Sequence, residues 1–417
     1  MMKIKIIIQL GVLGSLIFLM GACKALFEQP IDAETAYETK QYALAADLLK
    51  VKYEEETDLV KKANIAYKIA ESYRGANKTK SAEQWYVKAL NYSLEPTLLY
   101  SYAQVQKSNG NYAAAMQTFK EYAINNPVDR TRALRAIQAC KQALSWKKGG
   151  TNYQVANQKD INTPAIDFAP VLYGENQMVF TSSREEATGK EIYGWTGDKF
   201  FDLFVAKRID ERRFSAAVQF GDSINTPWNE GTATFDGEFK EMYFTACGSK
   251  NQIDDYCKIY WTYKRADDKW AVPRILDLFG IDTVNVDQPY LTPDGEQLYF
   301  ASDAGGGYGS KDLYVVNKGR DGFWSEPTNL GPEINTSHYE GFPHIGPNGK
   351  FYFASDGHLG MGGLDLFEAE LNNKNGWTNP MNMQSPINSE ADDFALIFEP
   401  NVLPEYLDKF EAWGFLS

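Results

Sequence analysis

Histidine is almost missing from this chain of 417 residues, which has three: His338, His344 and His358. Cysteine is scarce as well, at four. No Cys or His pair stands at metal-ligand spacing, so a zinc site is not expected. No G-x-S-x-G segment and no helix-borne histidine pair occurs, which removes the usual serine-hydrolase and zinc-protease signatures. Positive charge is in deficit: 42 Lys and Arg face 55 Asp and Glu, a net charge of −13, with no basic cluster. Nucleic acid wants a basic face, so it is not an expected partner.

What is present is apolar and aromatic. Hydrophobic residues make up 44% and aromatic ones 14%, with 25 Tyr and 24 Phe. The first figure supplies material for real cores, and the second favours a large β component. The length points to two domains. Lys3 and Lys5 precede an apolar run from Ile6 to Leu19, too short and wrongly flanked for a membrane span but suited to an export signal. Gly21-Ala22-Cys23 then resembles a bacterial lipobox, with Met20 where leucine is usual. Cys23 is therefore the expected lipidation site, with residues 1–22 a lipoprotein signal peptide and 23–32 a lipidated tether. Buried acyl methylenes would hold such a protein on a membrane. Lys24 offers no aspartate-type retention signal, which favours the outer membrane, facing the periplasm. An exported chain keeps disulfides, and Cys247 and Cys257 stand at the facing ends of two strand-like runs, "EMYFTAC" and "CKIYW". They are the expected pair. Cys140, in "LRAIQACKQAL", reads as a helix-core residue.

Residues 33–146 show helical periodicity. "SAEQWYVKAL" and "AAMQTFKEYA" set Ala82, Tyr86 and Ala89 against Ala115, Phe119 and Tyr122, and "YALAADLLKVKY" sets Ala45 and Leu49 in the same places upstream. A period near 34, with Ala at the helix contact and an aromatic four later, resembles tetratricopeptide repeats. Three repeats and a closing helix are expected, forming a solenoid whose concave face suits a partner protein. "KKGG" opens a linker, 147–151.

From 152 to 400 the pattern changes to short strands. "DQPYLTPDGEQLYFASD…DLYVV" recurs as "EGFPHIGPNGKFYFASDG…DLFEA", with weaker copies at "DFAPVLYGENQMVFTSS…DLFVA" and "NEGTATFDGEFKEMYFTAC…CKIYW". Ile161, Ile224, Val284, Ile334 and Ile387 mark the period, and Trp270, Trp324 and Trp377 precede each last strand. About four strands per radially repeated unit is the pattern of a β-propeller. Asp294-Gly295 and Asn348-Gly349 read as two-residue type I′ hairpins. A fifth unit opens at "EADDFALIFEP", but 401–417 does not continue it. "NYQVANQKDINT" (152–163) reads as the tail of a unit without a head, a strand that would complete the last blade. The expected fold is thus multidomain α plus β: a helical solenoid, then a propeller of four blades and the start of a fifth.

"PDGEQLYFASD…GGYGSKDLYVV…GFWSEPTNLGPEINT" resembles the TolB-type, WD-repeat-like propeller of envelope lipoproteins in Bacteroidota. In that group a lipoprotein signal, tetratricopeptide repeats and this propeller often precede an OmpA-like peptidoglycan-binding domain. The resemblance implies a lipid-anchored scaffold or adaptor, with envelope proteins as partners of the helices and propeller. It also implies an association with type IX secretion or gliding machinery, indirect cell-wall contact, and a chain shortened from a longer protein. It implies no enzyme, no cofactor and no metal. A SusD-type glycan-binding lipoprotein is the alternative, and a propeller hydrolase a further one. His344 takes the place that Tyr290 holds one unit earlier, and His358 the place of a glycine, so no catalytic residue is assigned. Asp303 with Asp312 and Asp356 with Asp365 could serve calcium, but aspartate before a turn more simply caps backbone N–H groups. The lipobox reading has a direct check: Cys23→Ser should abolish incorporation of labelled palmitate and release the protein from the membrane fraction.

Overall fold

The computed structural model describes residues 31–417 except 93–94, 211–212, 222, 249–255, 373–375 and 400–413. The signal, the tether to residue 30 and Cys23 lie outside the described residues.

Among the described residues seven α-helices come first: α1 (Ala33–Glu38), α2 (Tyr42–Glu55), α3 (Leu59–Gly75), α4 (Thr79–Leu90), α5 (Pro96–Ser108), α6 (Tyr112–Asn125) and α7 (Arg130–Gly149). Asp32 and Asp58 cap α1 and α3 by accepting from backbone N–H groups of the first turn, which satisfies donors the helix leaves unpaired. Consecutive helices pack through alanines. Ala66, Ala70, Ala82 and Ala89 are fully buried around Tyr86, and Ala103, Ala115, Cys140 and Ala143 around Phe119. Without larger side chains at these contacts the backbones approach closely, and the aromatic ring fills the space left between pairs.

Four antiparallel sheets of four strands follow: β1 (Asp167–Tyr173) to β4 (Val218–Gln219), β5 (Asn229–Phe235) to β8 (Arg274–Ile275), β9 (Val286–Leu291) to β12 (Thr328–Asn329), and β13 (Glu340–Ile345) to β16 (Met381–Asn382). Each runs in sequence order from strand 1 inward to strand 4 outward, so the chain is α plus β with a four-blade propeller. A two-stranded sheet, β17 (Ile397–Phe398) with β18 (Gly414–Phe415), lies between the fourth sheet and the first. Phe415 packs with the first sheet's core and Leu416 with the fourth's. Asn152–Thr163, expected as a strand, forms none.

One polar device recurs. Strand 3 reads Asp-Leu-aromatic in β3 (Asp202–Lys207), β11 (Asp312–Asn317) and β15 (Asp365–Ala369). The N–H groups of Leu203, Leu313 and Leu366 donate to the side-chain oxygens of Asn225, Asn335 and Asn388, at 3.0, 2.8 and 2.8 Å. The same asparagines donate back to the leucine carbonyls at 3.0, 3.0 and 2.9 Å. The three leucines are fully buried, and each shares a cluster with the isoleucine just before its asparagine: Ile224, Ile334 or Ile387.

The expected type I′ turns are not formed. Gly295 and Gly349 have φ of +73° and +75°, while Asp294 and Asn348 keep negative φ. Gly295 N–H closes on Thr292 O and Gly349 N–H on Gly346 O, so each is a longer turn ending in a left-handed glycine. The reason is the preceding proline, Pro293 or Pro347, whose ring holds φ negative at the position after the turn's first residue.

The helices sit on one end of the propeller, on loops between strands 2 and 3. Trp195 donates from its indole to Gly75 O at 2.8 Å and meets Tyr42 edge-on at 5.3 Å. Lys107 Nζ donates to Gly362 O and Arg135 to Gly357 O, both at 2.8 Å. Lys147 pairs with Glu390 at 2.7 Å. Met361, with no exposed surface, completes the helical cluster of Ala103, Tyr112, Phe119 and Cys140. Its neighbour Gly362 lies against the propeller's own next loop, where a Cβ would stand 2.1 Å from Ala391 O. The glycine-rich loop of residues 356–364 is therefore an inter-domain plug.

Asn335→Ala would strand the buried Leu313 N–H, while the Leu313 C=O keeps the Leu330 N–H at 3.0 Å. It should lower stability by about 1–3 kcal/mol, read as a fall in the urea midpoint with an unchanged slope.

Candidate functional site

The three histidines settle into structural places. His344 stands in the sheet where Tyr290 stands one blade earlier, edge-on to Tyr290 at 4.7 Å and stacked near Phe398 at 5.8 Å. His358 meets Ile334 O at 2.8 Å and packs on Phe353 and Phe367. The backbone of His338 ties its loop to Ser310. Among the described residues no cluster of His, Cys, Asp or Glu could hold a metal. Asp365 accepts from Met361 N–H and Gly362 N–H, at 2.9 and 3.0 Å, and Asp312 from Tyr308 and Gly309. These aspartates cap turns. Cys247 and Cys257 form a disulfide, with S–S at 2.05 Å, across the hairpin of the second sheet. Cys140 is buried and free, and burial pushes its thiol up to about 11.

Acids stand within the first two residues of three inner strands, Asp167, Glu230 and Glu340, and Asp393 stands before β17, with Val286 the exception. Each acid accepts from a backbone N–H four residues earlier, of Thr163, Thr226, Thr336 or Ser389, at 2.6 to 2.8 Å. Burial pushes the Glu230 carboxyl up to about 8 and that of Asp393 to about 7, and also raises Glu340. Burial also pushes Asp167 upward, but hydrogen bonds from Ser182, Arg184 and Thr163 outweigh it and hold that carboxyl low. These four acids are clasps that pin the entry to each inner strand.

Two residues further along, the four inner strands bulge, and Ala395 before β17 shares their backbone turn. Ala169, Thr232, Gln288, Phe342 and Ala395 all have φ between 43° and 54°. The bulge turns an N–H out of its own sheet toward a neighbour. Thr232 N–H donates to Thr181 Oγ1, Gln288 N–H to Thr245 Oγ1, Phe342 N–H to Gln288 Oε1 and Ala169 N–H to Ser417 Oγ, all at 2.9 or 3.0 Å. These bonds link the four inner strands, and the first of them to Ser417, in order around an axis. A bulged strand also bends, and the bends open an axial cavity of about 380 Å³.

The cavity lies toward the strand 1–2 turns, at Phe239, Pro293 and Pro347, and away from the helix-bearing loops. Pro170, Pro289 and Pro343 line it at equivalent positions, where the inner edge has no ladder partner and a missing N–H costs nothing. Phe235, Tyr290, Phe342 and Phe398 supply aromatic walls. No Asp, Glu, Lys or Arg is among the lining residues. Burial lowers His344 to about 4, so the one titratable imidazole there is neutral at pH 7. Hydrolysis of glycosides generally uses two carboxylates, and this cavity presents none. Sequence reading missed the cavity altogether. Its signal was the X-Pro pair recurring in three first strands, "FAP", "QP" and "FP".

No known family model matches the chain, and no curated protein does. Solved structures similar to it include a thermostable family-43 glycoside hydrolase (12% identity, 58% of this chain and 82% of that one, TM-score 0.37). An endo-arabinase from Bacteroides thetaiotaomicron VPI-5482 is similar at 11% identity, over 60% and 93% of the two chains, with TM-score 0.33. A puromycin hydrolase is similar at 12%, over 54% and 33%, with TM-score 0.32. Likeness of this extent assigns no residue role. The two sequence expectations of a scaffold or adaptor and of a non-enzyme are withdrawn on this comparison, because the similar propellers belong to hydrolases.

The clasp acids have a pH signature. Glu230 holds its proton more tightly folded than unfolded. Its contribution to stability is therefore complete below the ordinary carboxyl value of 4.5 and lost as pH rises through about 8. Glu230→Gln should flatten the melting temperature of the protein between these limits relative to wild type, measured by circular dichroism across a pH series.

Proposed function

We propose that this chain is an exported, lipid-anchored, five-bladed propeller protein that binds a small, uncharged, largely apolar molecule or ring in its axial cavity. The observation that carries the reading is the cavity itself: aromatic and proline walls, no charged lining residue, and a histidine held neutral. An ionic ligand would lose its hydration there without gaining a counter-charge, whereas an apolar or ring-shaped one gains burial and aromatic contact.

The finer points of the fold belong to the same reading. The repeated positive-φ turns at Lys40, Asn77 and Gly110, each inside a helix pair, support tetratricopeptide-type repeats. The fifth positive-φ residue at Ala395, and the fourth acid at Asp393, support β17–β18 as the inner half of a fifth blade. The disulfide suits an oxidising, extracytoplasmic compartment, in keeping with a signal ending at Cys23 and an anchor in the outer membrane.

The test is a titration of the purified chain with neutral compounds, among them N-phenyl-1-naphthylamine and arabinobiose, the latter bound in a solved structure with a similar propeller. Saturable binding is expected for at least one, with an affinity that stays level from pH 5.5 to 8 because His344 does not titrate there. Ala233→Phe adds bulk at a lining residue and should reduce that binding by at least about tenfold. Absence of saturable binding across the panel, or unchanged binding to the Ala233 variant, would refute the reading.

A further inference from the structure

Of the polar side chains that line the axial cavity, the others are already engaged and His344 is not. Gln288 accepts from Phe342 N–H at 3.0 Å and donates to the Tyr339 hydroxyl at 2.5 Å. Thr232 bonds to Thr245 at 2.7 Å, Thr234 accepts from Leu291 N–H at 3.1 Å, and Thr292 donates to Asp294 at 2.6 Å. Tyr290 and His344 hold the same place in neighbouring inner strands, each two residues past a positive-φ residue. The Tyr290 hydroxyl crosses to the next inner strand and donates to Ile345 O at 3.1 Å. The shorter imidazole of His344 stacks near Phe398 and meets Tyr290 edge-on, and neither of its nitrogens makes a hydrogen bond to a described residue. Protein encloses this ring on its other sides, yet His344 keeps accessible surface, because the space it borders is the cavity. Enclosed polar atoms without partners are costly. An occupant that pairs with them therefore gains over one that does not.

We infer that His344 is the polar anchor of the cavity, and that the ligand it selects is an uncharged ring bearing a hydroxyl group, of the phenol or cyclic-alcohol class. This rests on the cavity reading above and narrows it. Burial lowers His344 to about 4, so at pH 7 the ring offers one N–H donor and one bare nitrogen. A hydroxyl can donate to the bare nitrogen or accept from the N–H, so it pairs with either tautomer. A carbonyl can only accept and an amide N–H can only donate. A carboxylate or an ammonium group meets no counter-charge, since no lining residue is charged. Tyr290 and Phe398 flank the imidazole, so a ring bonded to it also meets aromatic walls. A volume of about 380 Å³ stands at the small end of ligand pockets, which suits one or two rings.

The experiment titrates the full chain at pH 7 with 2-naphthol and with 2-methylnaphthalene, in which a methyl group stands for the hydroxyl, followed by each compound's own fluorescence. His344→Phe keeps a ring against Tyr290 and Phe398 and removes both nitrogens. It should weaken 2-naphthol about tenfold and leave 2-methylnaphthalene within about twofold of wild type. His344→Gln restores a donor and an acceptor and should recover part of the 2-naphthol affinity. The histidine side chains give a nitrogen NMR spectrum of only three residues. In wild type, 2-naphthol should move the His344 nitrogen resonances far more than 2-methylnaphthalene does, a readout that needs no variant to fold. Undiminished 2-naphthol binding to His344→Phe, an equal loss of both compounds at an unchanged melting temperature, or His344 nitrogens unmoved with 2-naphthol bound would overturn the anchor and leave the cavity reading standing. Saturable binding of neither compound to wild type would overturn both.

Discussion

The fold depends on how the third strand of each sheet is finished at its outer end. Strand 4 is only two residues long, so beyond it the buried leucine of strand 3 would have an unpaired N–H and an under-satisfied C=O. Leaving such groups buried and unbonded costs about 1–3 kcal/mol each. An asparagine side chain, with an acceptor and a donor on one flat group, meets both at once. Because that asparagine belongs to the loop leading into the next inner strand, satisfying one sheet positions the entry of the next. The clasp acid five residues on fixes that entry, and the bulge two residues later passes an N–H to the neighbouring sheet. Ring, cavity and blade spacing all follow from this chain of polar contacts.

The second sheet shows what happens when the device is altered. Lys258 occupies the place of the strand-3 aspartate, and its ammonium donates to Ile281 O and Val284 O at 2.8 Å. Asn285 turns its side chain to Cys257 N–H at 2.8 Å and to Asp303. A covalent link between Cys247 and Cys257 then closes the hairpin whose polar pin has gone. The next inner strand correspondingly begins with Val286 instead of an acid, and the adjacent Asp287 is buried in an ion pair with Lys311.

Much of this was legible in the sequence. Four strand units, the Ala-aromatic helix pairs and the place of His344 all declare themselves by spacing, because each is a local pattern repeated. Three features were not legible. The turns at Gly295 and Gly349 read as type I′ until the prolines before them are weighed. Asn152–Thr163 reads as a strand because its side chains match a unit's tail, yet a strand needs a partner edge and none is described beside it. Met361 sits in a loop that reads as hairpin punctuation, since nothing local says that a methionine belongs to a core more than 200 residues upstream. The cavity, likewise, arises from bends repeated around an axis, a property of the assembled inner strands and not of any one of them.

The placement of Met361 bears on the order in which the molecule is made. The helices leave the ribosome first, but their cluster around Phe119 and Cys140 lacks a fully buried member until the fourth sheet has been synthesised and its loop has swung back. Until then the site for that side chain is an apolar hole at the domain's edge. A loop of the fourth sheet thus completes a core begun in the helices, so the two halves of the chain reach their final packing together, although each has repeats enough to begin alone.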